Sequence, residues 1–175
     1  MGLALAILAL QDGLRVRVFE ARTSRSSHSR AIGIHPPGMA ALEATGVSAQ
    51  LAAEGVQIRT GSARTRDTEL ISISFAKTST AYPYVLALPQ ERTETVLQAR
   101  LEELDPDALQ RGHRITSLHD DGGGVSLAGT TTAGDFAVRA SWVVAADGAR
   151  SAVRGLLGVR AAGKLLRDSY LMGDF

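Results

Sequence analysis

Two acidic residues, each closing an apolar stretch, are the groups in this chain whose type and setting could do chemistry. Toward the C-terminal end, Trp142-Val143-Val144-Ala145-Ala146 stops at Asp147-Gly148, and Ala149-Arg150-Ser151-Ala152-Val153-Arg154 follows as a helix start. A buried strand ending in an acid and a glycine puts that acid at the carboxyl edge of a sheet, where open α/β sheets take up ligands. The same residues also fit a plain strand followed by a helix cap. Near the other end, apolar Gly2 to Leu10 leads through Asp12-Gly13 into the alternating Leu14-Arg15-Val16-Arg17-Val18-Phe19-Glu20. A helix opening at Gly2, a glycine turn and a strand closing on a carboxylate make the second half of a βαβ dinucleotide unit. In that unit an acid about 20 residues past the glycines accepts hydrogen bonds from ribose hydroxyls. Glu20 stands where that acid would, although a helix–strand pair with a solvent-facing Glu reads the same way.

Composition narrows the remaining chemistry. There is no cysteine, which removes disulfides, thiolate nucleophiles and Cys-based zinc sites. His28, His35, His113 and His119 have no metal-ligand spacing and read as surface or structural residues, so no metal is expected. A net charge of +1 without a basic run makes no case for nucleic acid or an anionic membrane as partner. With 175 residues, 45% hydrophobic, the chain can bury a core in one or two small domains. The Gly2–Leu10 stretch is too short to span a bilayer. It also has neither the basic flank nor the cleavage site of a signal peptide. The expected location is the cytoplasm.

The elements that must position the two acids follow from periodicity. Gly2 to Leu10 is apolar all round, which predicts a helix buried between layers, capped at Gly13. Pro36-Pro37-Gly38 precedes an amphipathic helix over 39–45, and 51–61 reads as helix running into strand. Strands are expected over 69–75 and 82–88, the latter stopped by Pro89. Val96, Leu97, Leu101 and Leu104 predict a helix over 93–104 with Thr93 as N-cap. Strands over 114–118, 125–127 and 136–140, turned by Asp120-Asp121-Gly122-Gly123-Gly124 and by the 129–134 loop, make a small antiparallel meander.

Four motifs then occur in one order: Gly2-Leu3-Ala4-Leu5-Ala6 through Glu20-Ala21-Arg22; Arg30-Ala31-Ile32-Gly33-Ile34; Leu88-Pro89-Gln90-Glu91-Arg92-Thr93-Glu94; and Asp147-Gly148-Ala149-Arg150-Ser151-Ala152-Val153-Arg154. In this order they resemble the FAD-dependent aromatic hydroxylases, the single-component group A flavoprotein monooxygenases that include para-hydroxybenzoate hydroxylase. The Tyr82-Pro83-Tyr84-Val85-Leu86-Ala87-Leu88-Pro89-Gln90 stretch is most similar to members acting on aromatic polyketides or rifampicin.

The resemblance implies an α/β fold: a Rossmann-like FAD-binding domain of glutathione-reductase type without its first strand, a small antiparallel β-meander, and part of a β-rich substrate domain. It implies that Gly2 belongs to the pyrophosphate turn, Glu20 holds the adenosine ribose, Arg30 sits by the pyrophosphate and Gln90 bonds the ribityl–phosphate region. Asp147 and Gly148 then form the second nucleotide motif, and Gly173-Asp174 lies too early to be the third. FAD is the implied cofactor, with NAD(P)H as cosubstrate, O2 as oxidant and an aromatic small molecule as substrate. The cofactor carries the chemistry, so no residue here is assigned as catalytic. Residues 1–61 and 89–160 are expected to be FAD-binding domain, with 62–88 and 161–175 contributing to the substrate domain. The chain covers less than half of a typical member, with its first glycines and last acidic motif outside it, so the expectation is weak or absent FAD binding by the chain alone. Rival readings are an inactive fragment or a related FAD oxidoreductase such as an epoxidase, halogenase or reductase.

Overall fold

The structure, a computed structural model, describes residues 1–25, 32–160 and 162–163. Helix α1 (Gly2–Gln11) ends as its sequence requires. Gly13, at φ +78°, donates its N–H to the Leu10 carbonyl, and Leu14 N–H reaches back to the Ala9 carbonyl. This is a Schellman closure, which needs the left-handed conformation that glycine adopts without strain. The chain returns to form β1, which is Val18–Glu20 alone; residues 14–17, expected as strand, lie outside the paired region. β1 is short because its ladder is set by its partner β7 (Leu109–Arg111), with which it pairs in parallel, Glu20 opposite Arg111.

Between these lie β2 (Gly33–Ile34), α2 (Pro36–Glu43), α3 (Ser48–Glu54), β3 (Val56–Ile58), β4 (Thr60–Arg64), β5 (Glu69–Ser74), β6 (Val85–Ala87) and α4 (Gln90–Leu104). β6 is the middle strand of a small antiparallel sheet flanked by β2 and β3. β4 and β5 form a separate hairpin whose residues are almost all exposed, Leu70, Ile71 and Ile73 among them. Downstream come β8 (Arg114–Asp120), β9 (Val125–Thr131) and β10 (Gly134–Ala140), the expected meander in the order β10-β9-β8, and then α5 (Ala152–Leu156).

The core gathers Ile7 of α1, Met39 of α2, Leu51 of α3, Leu86 of β6, and Val96, Leu97 and Leu101 of α4. α1 packs against α4 through this cluster, which fixes the layer beneath the two acids. Three sequence expectations are corrected. α1 is not enclosed on all sides: Ala6 and Ile7 are buried, but Leu5 is 43% exposed, because the described elements leave that side uncovered. α4 begins at Gln90 with Pro89 as N-cap, three residues before Thr93, since proline's fixed φ suits a helix start. Residues 142–146 run without β-pairing among the described residues, with Trp142 88% exposed, because no described strand lies alongside.

Candidate functional site

The site is assembled at one end of α1. The helix runs about 15 Å over its ten residues and the chain comes back through β1. The first turn of α1 and the last residue of β1 therefore lie toward the same end. Met1 provides no side-chain cap, so the first-turn N–H groups of α1 remain available to an acceptor, with the positive end of the helix dipole behind them. Gly2 packs directly on the stretch before Asp147: a methyl at Gly2 would stand 3.2 Å from Ala146 Cβ. Met1, Ala145, Ala146, Asp147, Gly148, Ser151, Arg154, Leu157 and Val159 line an open depression of about 450 Å³. Gly148 turns with φ +78° and has no atom within 4 Å of where a Cβ would sit, so its backbone faces open space.

Asp147 is committed to the chain that follows it. One carboxylate oxygen accepts the Ser151 hydroxyl at 2.5 Å and the other accepts the Val153 N–H at 3.0 Å. Ser151 Oγ in turn accepts the Arg154 N–H at 3.0 Å, capping α5. Although its partial desolvation acts to raise the Asp147 pKa, the Ser151 hydroxyl and the backbone N–H of Val153 outweigh it and hold the carboxyl below its ordinary range. The alternative of a helix cap is thus realised here, at a residue that also lines the depression.

Glu20 is gripped by Arg22. Oε1 accepts the Arg22 backbone N–H at 2.9 Å and Nε at 3.2 Å, while Oε2 accepts Nη2 at 3.1 Å. Burial pushes the Glu20 carboxyl up, but hydrogen bonds from Arg22 and the positive charges of Arg22 and Arg111 pull it lower than usual. Gln90 donates its amide to Glu94 at 2.7 Å, and Glu94 lies close enough to Arg22 to stabilise its charge. Arg25 is tethered to the same helix by donating to the Thr95 hydroxyl. Arg30 lies outside the described residues, as does Gly173-Asp174. Among the described residues, Leu88 N–H donates to the Ile32 carbonyl at 2.7 Å, which ties the start of β2 to the strand that precedes Gln90.

Arg22, Arg111 and the turn after β7 were not singled out from the sequence. The signal for Arg22 was its place two residues beyond the acid; β7, at three residues, has too little pattern to be read. Among the described residues there is no group of potential metal ligands, and no helix is long and apolar enough to cross a membrane.

Residues 1–172 match the sequence model of a family described as FAD binding domain. The anhydrotetracycline monooxygenase of Streptomyces rimosus is 34% identical over 163 residues, covering 93% of this chain and 32% of the relative. The rifampicin monooxygenase of Streptomyces venezuelae is 32% identical, covering 99% of this chain and 35% of its own length. The crystal structure of p-nitrophenol 4-monooxygenase from Pseudomonas putida DLL-E4 superposes with a TM-score of 0.85 at 31% identity, covering 90% of this chain and 40% of that one. The chain thus spans about a third of the length of the curated relatives it matches.

Proposed function

Because the chain belongs to the FAD-binding-domain family, we propose that it is the FAD-binding portion of a flavin-dependent monooxygenase that uses NAD(P)H and O2 to hydroxylate an aromatic small molecule. One observation carries the reading: Gly2 at the uncapped start of α1 packs on Ala146, which brings an anion-accepting helix end beside Asp147 and Gly148.

The donor set suits FAD. The first-turn N–H groups of α1 receive the pyrophosphate, and the Gly148 backbone leaves room for it. Glu20, kept ionised by Arg22, accepts hydrogen bonds from the adenosine ribose hydroxyls. Gln90, whose amide now donates to Glu94, would bond the ribityl–phosphate region, and Arg30 would supply a planar cation for the phosphates. Asp147 shapes the loop through its bonds to Ser151 and Val153. When bound, FAD supplies redox chemistry that no side chain at this site possesses. The polypeptide's task is to bind and orient it.

Residues 1–61 and 89–160 form the FAD-binding part, and 62–88 with 161–175 contribute to the substrate side. The names of the relatives, which act on anhydrotetracycline, rifampicin and p-nitrophenol, favour a phenolic or polyketide-like ring as substrate. A cytoplasmic location fits a chain without cysteine. The test is titration of FAD into the chain, followed by flavin fluorescence. Saturable quenching is expected, weakened about tenfold or more by Glu20→Ala, the loss of a hydrogen bond to a charged group. Equal affinity in both proteins removes Glu20 from the binding role.

A further inference from the structure

β1 and β7 part company at Glu20 and Arg111, yet the two chains remain tied beyond their last paired residues. Gly112, at φ +71°, turns the chain so that its N–H donates to the Arg22 carbonyl at 3.2 Å and the His113 N–H donates to the Glu20 carbonyl at 3.0 Å. Both ends of the Glu20–Arg22 segment are therefore held by one turn. That turn is itself fixed by the His113 ring. Nδ1–H donates to the Arg111 carbonyl at 2.9 Å, closing the turn on itself. The imidazole packs at 5.6 Å from the Phe19 ring and edge-on at 4.8 Å from the Phe136 ring, which contact each other at 5.4 Å. Phe136 reaches this place because β9 carries Gly129 beneath it; a Cβ there would stand 2.7 Å from the Phe136 ring and 2.2 Å from the Arg114 carbonyl.

We propose that His113 is a positioning residue for Glu20: by bonding the Arg111 carbonyl while packed against both Phe19 of β1 and Phe136 of the meander, it sets the turn that aims the Glu20 carboxylate at its ligand. The proposal rests on the FAD-binding reading for the identity of that ligand, but not for the linkage itself. Glu20 faces Arg22 and Arg111; Glu94 stands beside Arg22, and Arg111 donates to Gln98 Oε1 at 2.9 Å. Displacing the turn moves the Arg22 N–H and the Arg111 charge away from the carboxylate together.

The linkage is read by carbon NMR titration of the Glu20 side-chain carboxyl in the full chain, alongside FAD titration. His113→Phe keeps an aromatic ring against Phe19 and Phe136 but removes the donor; His113→Asn keeps a side-chain N–H at the Nδ1 position and removes the ring. The Glu20 titration midpoint is expected to rise toward that of an ordinary glutamate in His113→Phe and to return in His113→Asn, with FAD affinity following the same order. Gly112→Ala, which strains the turn from its other side, is expected to raise the midpoint as well. A Glu20 midpoint unchanged in both His113→Phe and Gly112→Ala overturns the proposal. If the midpoint moves while no variant, nor the parent, binds FAD, the positioning role stands and the FAD reading fails.

Discussion

Glu20 and Asp147 are both carboxylates held ionised, and their partners give them different work. Glu20 faces two arginines, so its charge is stabilised by groups a ligand can rearrange. Asp147 is satisfied by Ser151 and Val153 within its own loop, so its charge maintains a helix start. Both folded pKa values lie below the unfolded ones, as do those of Glu54, Asp105 and Asp121. The stability these groups contribute is present above the unfolded carboxylate values near pH 4 and is lost as pH falls through the lower folded values. The urea midpoint should therefore drop as pH is lowered from about 5 to 3, and more shallowly in Asp147→Ala. At neutral pH the same variant is expected to lose about 1 kcal/mol, the usual worth of a helix-capping side chain, measured by urea denaturation. A variant as stable as the parent at pH 7 would show that the loop holds without the carboxylate. The two acids were legible in the sequence because each closes an apolar run at a glycine or a turn. Arg111 was not, since it meets Glu20 only through the pairing of β1 with β7, whereas Arg22 stands two residues along the same chain.

Among the elements, the longer ones were legible and the shortest were not. α1 is a continuous apolar run, and α4 and the meander carry periodicity over enough residues for the pattern to stand out, whereas β7 has three residues and takes its identity from β1 alone. α4 starts earlier than Thr93, a good N-cap in isolation, suggests, because Pro89 four residues before it already supplies helical φ. Residues 142–146 read as a buried strand because they are apolar and β-branched, but strand pairing depends on a neighbour that local sequence does not reveal. Close packing between elements is sharpest at Gly55, which follows α3. A Cβ there would stand 2.8 Å from Leu86 Cδ1 and 3.0 Å from the Ala87 carbonyl of β6. Because Leu86 is fully buried at the centre of the core, it has no space to yield. Gly55→Ala is expected to cost about 1–3 kcal/mol of stability, measured by thermal or urea unfolding. A neutral effect would mean that β6 shifts freely against α3.

At the scale of the whole molecule, the same core that packs α1 on α4 determines what the site can be. It holds the uncapped end of α1 against Ala146 and leaves β1 to deliver Glu20 toward that end. The match to the FAD-binding-domain family runs over residues 1–172. The depression beside Asp147 is open, and the 142–146 stretch has no β-partner among the described residues. Binding by this chain is accordingly expected to be weak, with a dissociation constant on the order of 10⁻⁴ M, which needs only a few charge-assisted hydrogen bonds. The most direct test is to titrate FAD into the isotopically labelled chain and follow backbone amide resonances to about 1 mM, ten times the expected constant. Saturable shifts concentrated at Gly2, Leu3, Glu20, Arg22 and Gly148 are expected. Spectra that do not change, or shifts confined to the β4–β5 hairpin, would contradict FAD binding at this site.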